Sequence, residues 1–154
     1  MSGASPAMPT TDELLAAVAI QLSGAITPSL TSNSQANDAY ELYLFSLVVR
    51  AARDMRARVR YETVHGTRAT RLTVRTTPGR IYSRAYPYSH AVLEWAGRPT
   101  LEVHIGVRVR GRSNVLHECD VAVIDRNEAQ RCRSDNTDPR SSKLVTIQVP
   151  VVRG

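Results

Sequence analysis

The chain of 154 residues fits one domain and is long enough to bury ~68–70% of the surface its unfolded form exposes, so neither disulfides nor a structural metal are needed for folding. With 42% hydrophobic and 22% charged residues and only two cysteines, Cys119 and Cys132, the composition excludes a disulfide scaffold and a disordered polyelectrolyte. The formal charge is +6, and ten arginines between Arg50 and Arg84 face only Asp54 and Glu62, a basic region that suits a polyanion or a solvated set of strand faces.

The start, MSGASPAMPTTDELL, lacks the positive segment of a secretory signal. LLAAVAI, residues 14 to 20, is far below the ~18 apolar residues of a membrane span, so no membrane partner and a cytoplasmic location are expected. Thr10 or Thr11 followed by Asp12 and Glu13 predicts a helix running to about Ser23, with Gly24 as its stop. ITPSLTSNSQAN then reads as a linker, so residues 1–36 are expected to form an N-terminal helix and linker, and residues 37–154 a single domain.

Residues 37 to 55 predict a second helix with an apolar stripe of Leu44, Val48, Ala51, Ala52 and Met55. Near its start, Asp38 and Glu41 have capping-box spacing. Beyond it the period changes to two. RVRYETVHG (58–66) and TRLTVRTT (70–77) predict strands joined around Gly66-Thr67. Residues 80–95 predict a short strand at 80–83 and a strand or helical turn at 90–95. Here Trp95, Tyr82, Tyr86 and Tyr88 offer either base-stacking faces or packing.

LEVHIGVRVR (101–110) alternates cleanly, which puts Leu101, Val103, Ile105, Val107 and Val109 on one face and Glu102, His104, Arg108 and Arg110 on the other. With a turn at Gly111 to Asn114 it predicts a hairpin with residues 115–125. Residues 126–142 predict one or two helical turns and a polar loop, and residues 143–154 a last strand. The element order argues α+β, with N-terminal helices packed on a mainly antiparallel or mixed sheet.

In HECDVAVID, residues 117 to 125, Glu118 and Asp120 stand two apart and share a strand face. Two unpaired buried carboxylates would cost several kcal/mol. Their face must therefore be wet, pair with Arg108, Arg110 or Arg112, or hold a cation. His104, His117 and Cys119 are zinc-ligand types, but no fourth ligand stands out.

Together AYELYLF, LHECDVAVID and LVTIQVPVV resemble, over roughly residues 37 to 150, the restriction-endonuclease-like or PD-(D/E)xK nucleases. In that family a helix bearing a Glu precedes a sheet, a hairpin strand supplies a metal-binding Asp and the next strand carries acid-x-Lys. The resemblance implies a restriction-endonuclease-like core and magnesium-dependent cleavage of DNA. Asp120 and Glu118 would then be the metal ligands, with Glu41 as the helix acid and Gln148 at the acid position of the triplet. Here Gln148-Val149-Pro150 replaces acid-x-Lys, which implies weak or lost activity. Arg58, Arg60, Arg71, Arg75 and Arg112 would contact phosphates. The alternative is a non-catalytic domain that binds nucleic acid, or a protein partner or second copy through the strand carrying Val145, Ile147, Val149, Val151 and Val152.

Overall fold

The first helix starts where Thr10 caps it. The Thr10 hydroxyl accepts the Glu13 N–H at 3.1 Å, satisfying an amide that has no partner within the helix. In the computed structural model, which describes residues 7–147, this helix, α1 (Thr11–Gln21), ends in a turn with Ser23 and Gly24 at positive φ. The expected linker then contributes β1 (Thr27–Pro28), which pairs in parallel with β3 (Arg71–Leu72).

Helix α2 (Ala36–Asp54) buries Leu42, Phe45, Val49 and Ala52, four positions along one face, against Val18 and Leu22 of α1 and the sheet. Ala51 and Ala52 are buried as predicted, but before them the stripe lies one position away, on Phe45 and Val49. Leu44 and Val48 are only partly buried and Met55 is 49% exposed, because α1 and the sheet together wrap the face that Phe45 occupies.

The main sheet has the order β2 (Arg58–Thr63), β4 (Ser89–Glu94), β5 (Leu101–Arg110), β6 (Leu116–Asp125), with every neighbour antiparallel. The protein is thus α+β, with three α-helices, a four-stranded antiparallel sheet and a parallel pair among the described residues. Two expectations are corrected. The chain turns back on β2 at Gly66-Thr67 as expected, with Arg68 bridging Glu62 in the antiparallel sense. But residues 70–77 contribute only the short β3, which pairs with β1 instead of prolonging that hairpin, and residues 80–83 form a turn. The hairpin β5–β6 forms as expected, and the helical turns after it become α3 (Arg126–Asp135), capped by Asp125 on the amides of Asn127 and Glu128. Helices α1 and α2 cover one face of the sheet and α3 the other.

Strand β5 does not keep its predicted alternation. Gly106 sits at φ +65°, and beyond it the inward side chains change faces. Ile105 packs with Leu101 and Val103 on the α2 side, whereas Val107 and Val109 pack with Ile81, Ala122 and Ile124 on the α3 side. Neither face of the first half is open, and Glu102 and His104, on the face opposite Leu101 and Val103, are fully buried. A Gly106→Ala variant is expected to lose about 1–2 kcal/mol in urea unfolding, because a Cβ is strained at this φ. An unchanged midpoint would show that the positive φ is not what holds the crossover.

The last described residues run beside β6. Leu144 bridges Ile124 in the antiparallel sense, Val145 N–H donates to Val123 O at 2.8 Å, and Val145 and Ile147 pack on the core. Gln148, Val149, Pro150, Val151 and Val152 lie outside the described residues.

Candidate functional site

Two groups of ionisable side chains occupy opposite faces of the sheet. On the α2 side the first turns of α2 lie over β6, so Glu41 meets Glu118 and Asp120. The three carboxylates have oxygens within 4.8 Å of one another. They line a groove of about 370 Å³ with Asn37 and Tyr40. Among the described residues none of the three has an ion pair; Glu118 and Asp120 are exposed, so water instead of an arginine meets their charge, and Glu41 is half-buried. Burial, then the neighbouring Asp120, Asp38 and Glu118, push the Glu41 carboxyl up to about 7. Capping does not account for Glu41, since the helix begins at Gln35 with no side-chain cap. Arg108 is opposite Glu118 in the hairpin register but forms no ion pair with it among the described residues.

On the α3 side a row of polar residues crosses three strands. Glu62 of β2 pairs in register with His90 of β4, and one step beyond the Ala91–Val103 pair His90 lies beside His104 of β5. The two imidazoles stack with centroids 4.6 Å apart. His104 Nε2 is 2.8 Å from Glu102 Oε1, and His90 Nε2 is 3.3 Å from Glu62 Oε1 and 3.5 Å from Glu102 Oε1.

Helix α3 closes the row from above. Arg126 and Arg133, seven residues apart and so on one helix face, flank the buried Ala129 and Cys132. Arg133 grips Glu102 with two bonds of 2.9 and 2.7 Å, and Arg126 bonds Glu62 at 2.7 and 3.2 Å and Glu102 at 3.3 Å. Burial pushes Glu62 up, but hydrogen bonds from His90 and Arg126 outweigh it and hold the carboxyl at about 2. Glu102 is likewise held below the usual carboxylate range: burial opposes its ionisation, and bonds from Arg133 and His104 overcome that. Burial and the neighbouring His90 lower His104 to about 4 despite its bond to Glu102, which keeps the ring neutral at pH 7.

By ligand type and spacing the buried His90–Glu102–His104 group could hold a metal ion. Beside it lies a cavity of about 400 Å³, lined by Glu62, His90, Tyr88, Arg126 and Arg133 among others.

The arginines expected to touch phosphates are scattered. Arg58 and Arg71 are exposed, on the edge strand β2 and on β3, and Arg112 is exposed in the β5–β6 turn. Arg60 is taken up by Glu94 and by Glu62 at 3.8 Å. Arg75 is misplaced for this role. It is 9% exposed, lies 3.7 Å over the Tyr88 ring and packs against Gly79 and Gly106, so it supports the core instead of reaching a phosphate.

Of the zinc-type residues singled out in the sequence, His104 is buried on the α3 side, whereas His117 is exposed and Cys119 packs at the rim of the second apolar cluster. Glu102, two residues before His104 on β5, was legible as sharing its face; the rest of the network was missed because it comes from β2, the start of β4 and α3. A second local signal was the pair Arg126 and Arg133 flanking small residues at helical spacing. Tyr88 is buried with its hydroxyl on His104 Nδ1 at 3.1 Å, and Trp95 donates to Met55 O at 3.1 Å, so both are tied into packing. No helix is long and apolar enough to cross a membrane among the described residues. No protein-family model, curated protein or solved structure matches the chain.

Proposed function

We propose that the chain is a restriction-endonuclease-like domain that binds a magnesium-class cation and DNA, with cleavage weak or lost. The observation that carries this is the meeting of Glu41 of α2 with Glu118 and Asp120 of β6 in one groove. Three carboxylates without an ion pair among the described residues are the donor set a hard cation prefers, and Glu41, raised first by burial and then by Asp120, Asp38 and Glu118, is opposed by like charge that a cation would offset. Support also comes from the strand order, since residues 144–147 run along the Asp120 strand, where the family carries its triplet.

In this role Asp120 and Glu118 hold the ion and Glu41 completes the acidic wall. The bound ion supplies charge stabilisation at a phosphate and acidifies a water. Gln148 and Pro150 supply neither the second anionic ligand nor the ammonium of acid-x-Lys, which is why turnover is expected to be weak or absent. The exposed Arg58, Arg71 and Arg112 contribute long-range attraction to phosphates.

The test combines nicking of supercoiled DNA in Mg²⁺ or Mn²⁺ with DNA binding over a range of salt. Any nicking is expected to need the metal and to vanish in Asp120→Ala. Binding should weaken with a log–log slope near −0.9 per phosphate contacted. Salt-independent binding, together with nicking unaffected by Asp120→Ala, would sink the proposal.

A further inference from the structure

We infer that His90, His104 and Glu102 form a second site, for a transition-metal ion of the zinc class, on the opposite face of the sheet from the acidic groove. It does not depend on the nuclease-like function proposed above. Two imidazoles and a carboxylate are the donors that zinc, copper or nickel take in preference to magnesium. Metal bonds of about 2.0–2.1 Å in a tetrahedron hold ligand atoms roughly 3.3–3.4 Å apart. The observed separations of 2.8 Å from His104 Nε2 to Glu102 Oε1 and 3.5 Å from His90 Nε2 to the same oxygen bracket that value, and the stacked imidazoles must turn about their Cβ–Cγ bonds to aim both lone pairs at one ion.

The surroundings are those of a supported metal site. Zinc-bound histidines usually engage their other nitrogen and zinc-bound carboxylates are themselves hydrogen-bonded. Here Tyr88 holds His104 Nδ1 at 3.1 Å and Arg133 forks onto Glu102. His90 and Glu62 line the 400 Å³ cavity, which gives an ion a way in, and Glu62 Oε1 sits 3.3 Å from His90 Nε2, beside the position left open.

The arginines do not have to leave. Glu102 Oε1 has two lone pairs, one facing Arg133 Nη1 at 2.9 Å and one facing His104 Nε2. An ion displaces the second contact and also the one between His90 Nε2 and Glu62 Oε1. Each ring moves its Nε2 proton to its own Nδ1, so both imidazoles stay neutral, and beside His104 Tyr88 turns from donor to acceptor. Because Arg126 and Arg133 already balance Glu62 and Glu102, a divalent ion keeps its charge and draws hydroxide or a small anion into its open position from the cavity.

The experiment is Co²⁺ titration of the full chain, followed by visible absorption, and X-ray absorption of the Zn²⁺-loaded protein. Both are run on the wild type and on Asp120→Asn, which disables the acidic groove. The expected result in Asp120→Asn is one ion per chain with the intense bands of four-coordinate cobalt, and two imidazoles around zinc. The wild type should show the same bands, any further ion in the acidic groove adding only weak ones, and binding should be weakened more than tenfold in His90→Gln. Absence of stoichiometric zinc, a shell of oxygen ligands only, or a site lost in Asp120→Asn and kept in His90→Gln would each overturn it. The last result would leave the acidic groove as the metal site. Should His90→Gln fail to fold, the imidazole count in Zn²⁺-loaded Asp120→Asn decides alone.

Discussion

Glu102→Ala is expected to lower the unfolding free energy by about 3–5 kcal/mol, among the largest losses of any single substitution in this chain. Its carboxylate is fully buried and receives Arg133 through two bonds, with Arg126 at 3.3 Å. Truncation strands the Arg133 guanidinium, whose own pKa is raised by the hydrogen bond and charge of Glu102 against the opposing effect of burial. Glu102→Gln keeps the shape but not the charge and should fall between wild type and Ala. Urea unfolding of the metal-free protein at pH 7 reads the difference; a loss below about 1 kcal/mol would show that the network is wet and weak.

The same network sets the acid limit of stability. Glu62 is held at about 2 against an ordinary 4.5, and His104 at about 4 against 6.5, so in both cases the unfolded chain binds more protons in the interval. Stability from these groups is therefore complete above pH 6.5. It is lost as pH falls, first through the His104 interval of 6.5 to 4 and then through the Glu62 interval of 4.5 to 2.

The second large effect is expected in the acidic groove, and its sign is opposite. Glu41 is raised to about 7, so the folded chain binds the extra proton between pH 4.5 and 7, and metal-free stability falls as pH rises through that interval. A divalent cation removes the conflict. At one hundred times its dissociation constant, Mg²⁺ should add about 2.7 kcal/mol, or roughly 5–10 °C in Tm. The gain should be larger at pH 8 than at pH 5.5 and absent in Asp120→Ala. In chelator at pH 8, Glu41→Gln should melt higher than the wild type. A Mg²⁺ shift that is equal at both pH values, or retained in Asp120→Ala, would place the ion elsewhere.

The sequence by itself determined the local elements and one of the two polar groups. Thr10, Gly24 and Asp125 mark helix ends through side-chain caps and backbone freedom within a few residues, and the alternation of Leu101 to Ile105 marks the central strand. Glu41, Glu118 and Asp120 could be singled out in advance because the order of helix and hairpin strand resembles a known arrangement. Their meeting in one groove depended on α2 lying across β6.

The tertiary structure alone decided the rest. Side-chain period assigns residues to alternating faces but cannot say that both faces are covered, so it separates Glu102 and His104 from Leu101 and Val103 without showing that α3 buries them. Nor can it foresee that Gly106 at positive φ carries Val107 and Val109 across the sheet. The row Glu62–His90–His104 exists only through the registers of β2 with β4 and β4 with β5, and registers are set by packing between strands distant in the chain. Arg75 looked like a phosphate contact because arginines usually remain solvated; Tyr88, Gly79 and Gly106 form the slot that buries it.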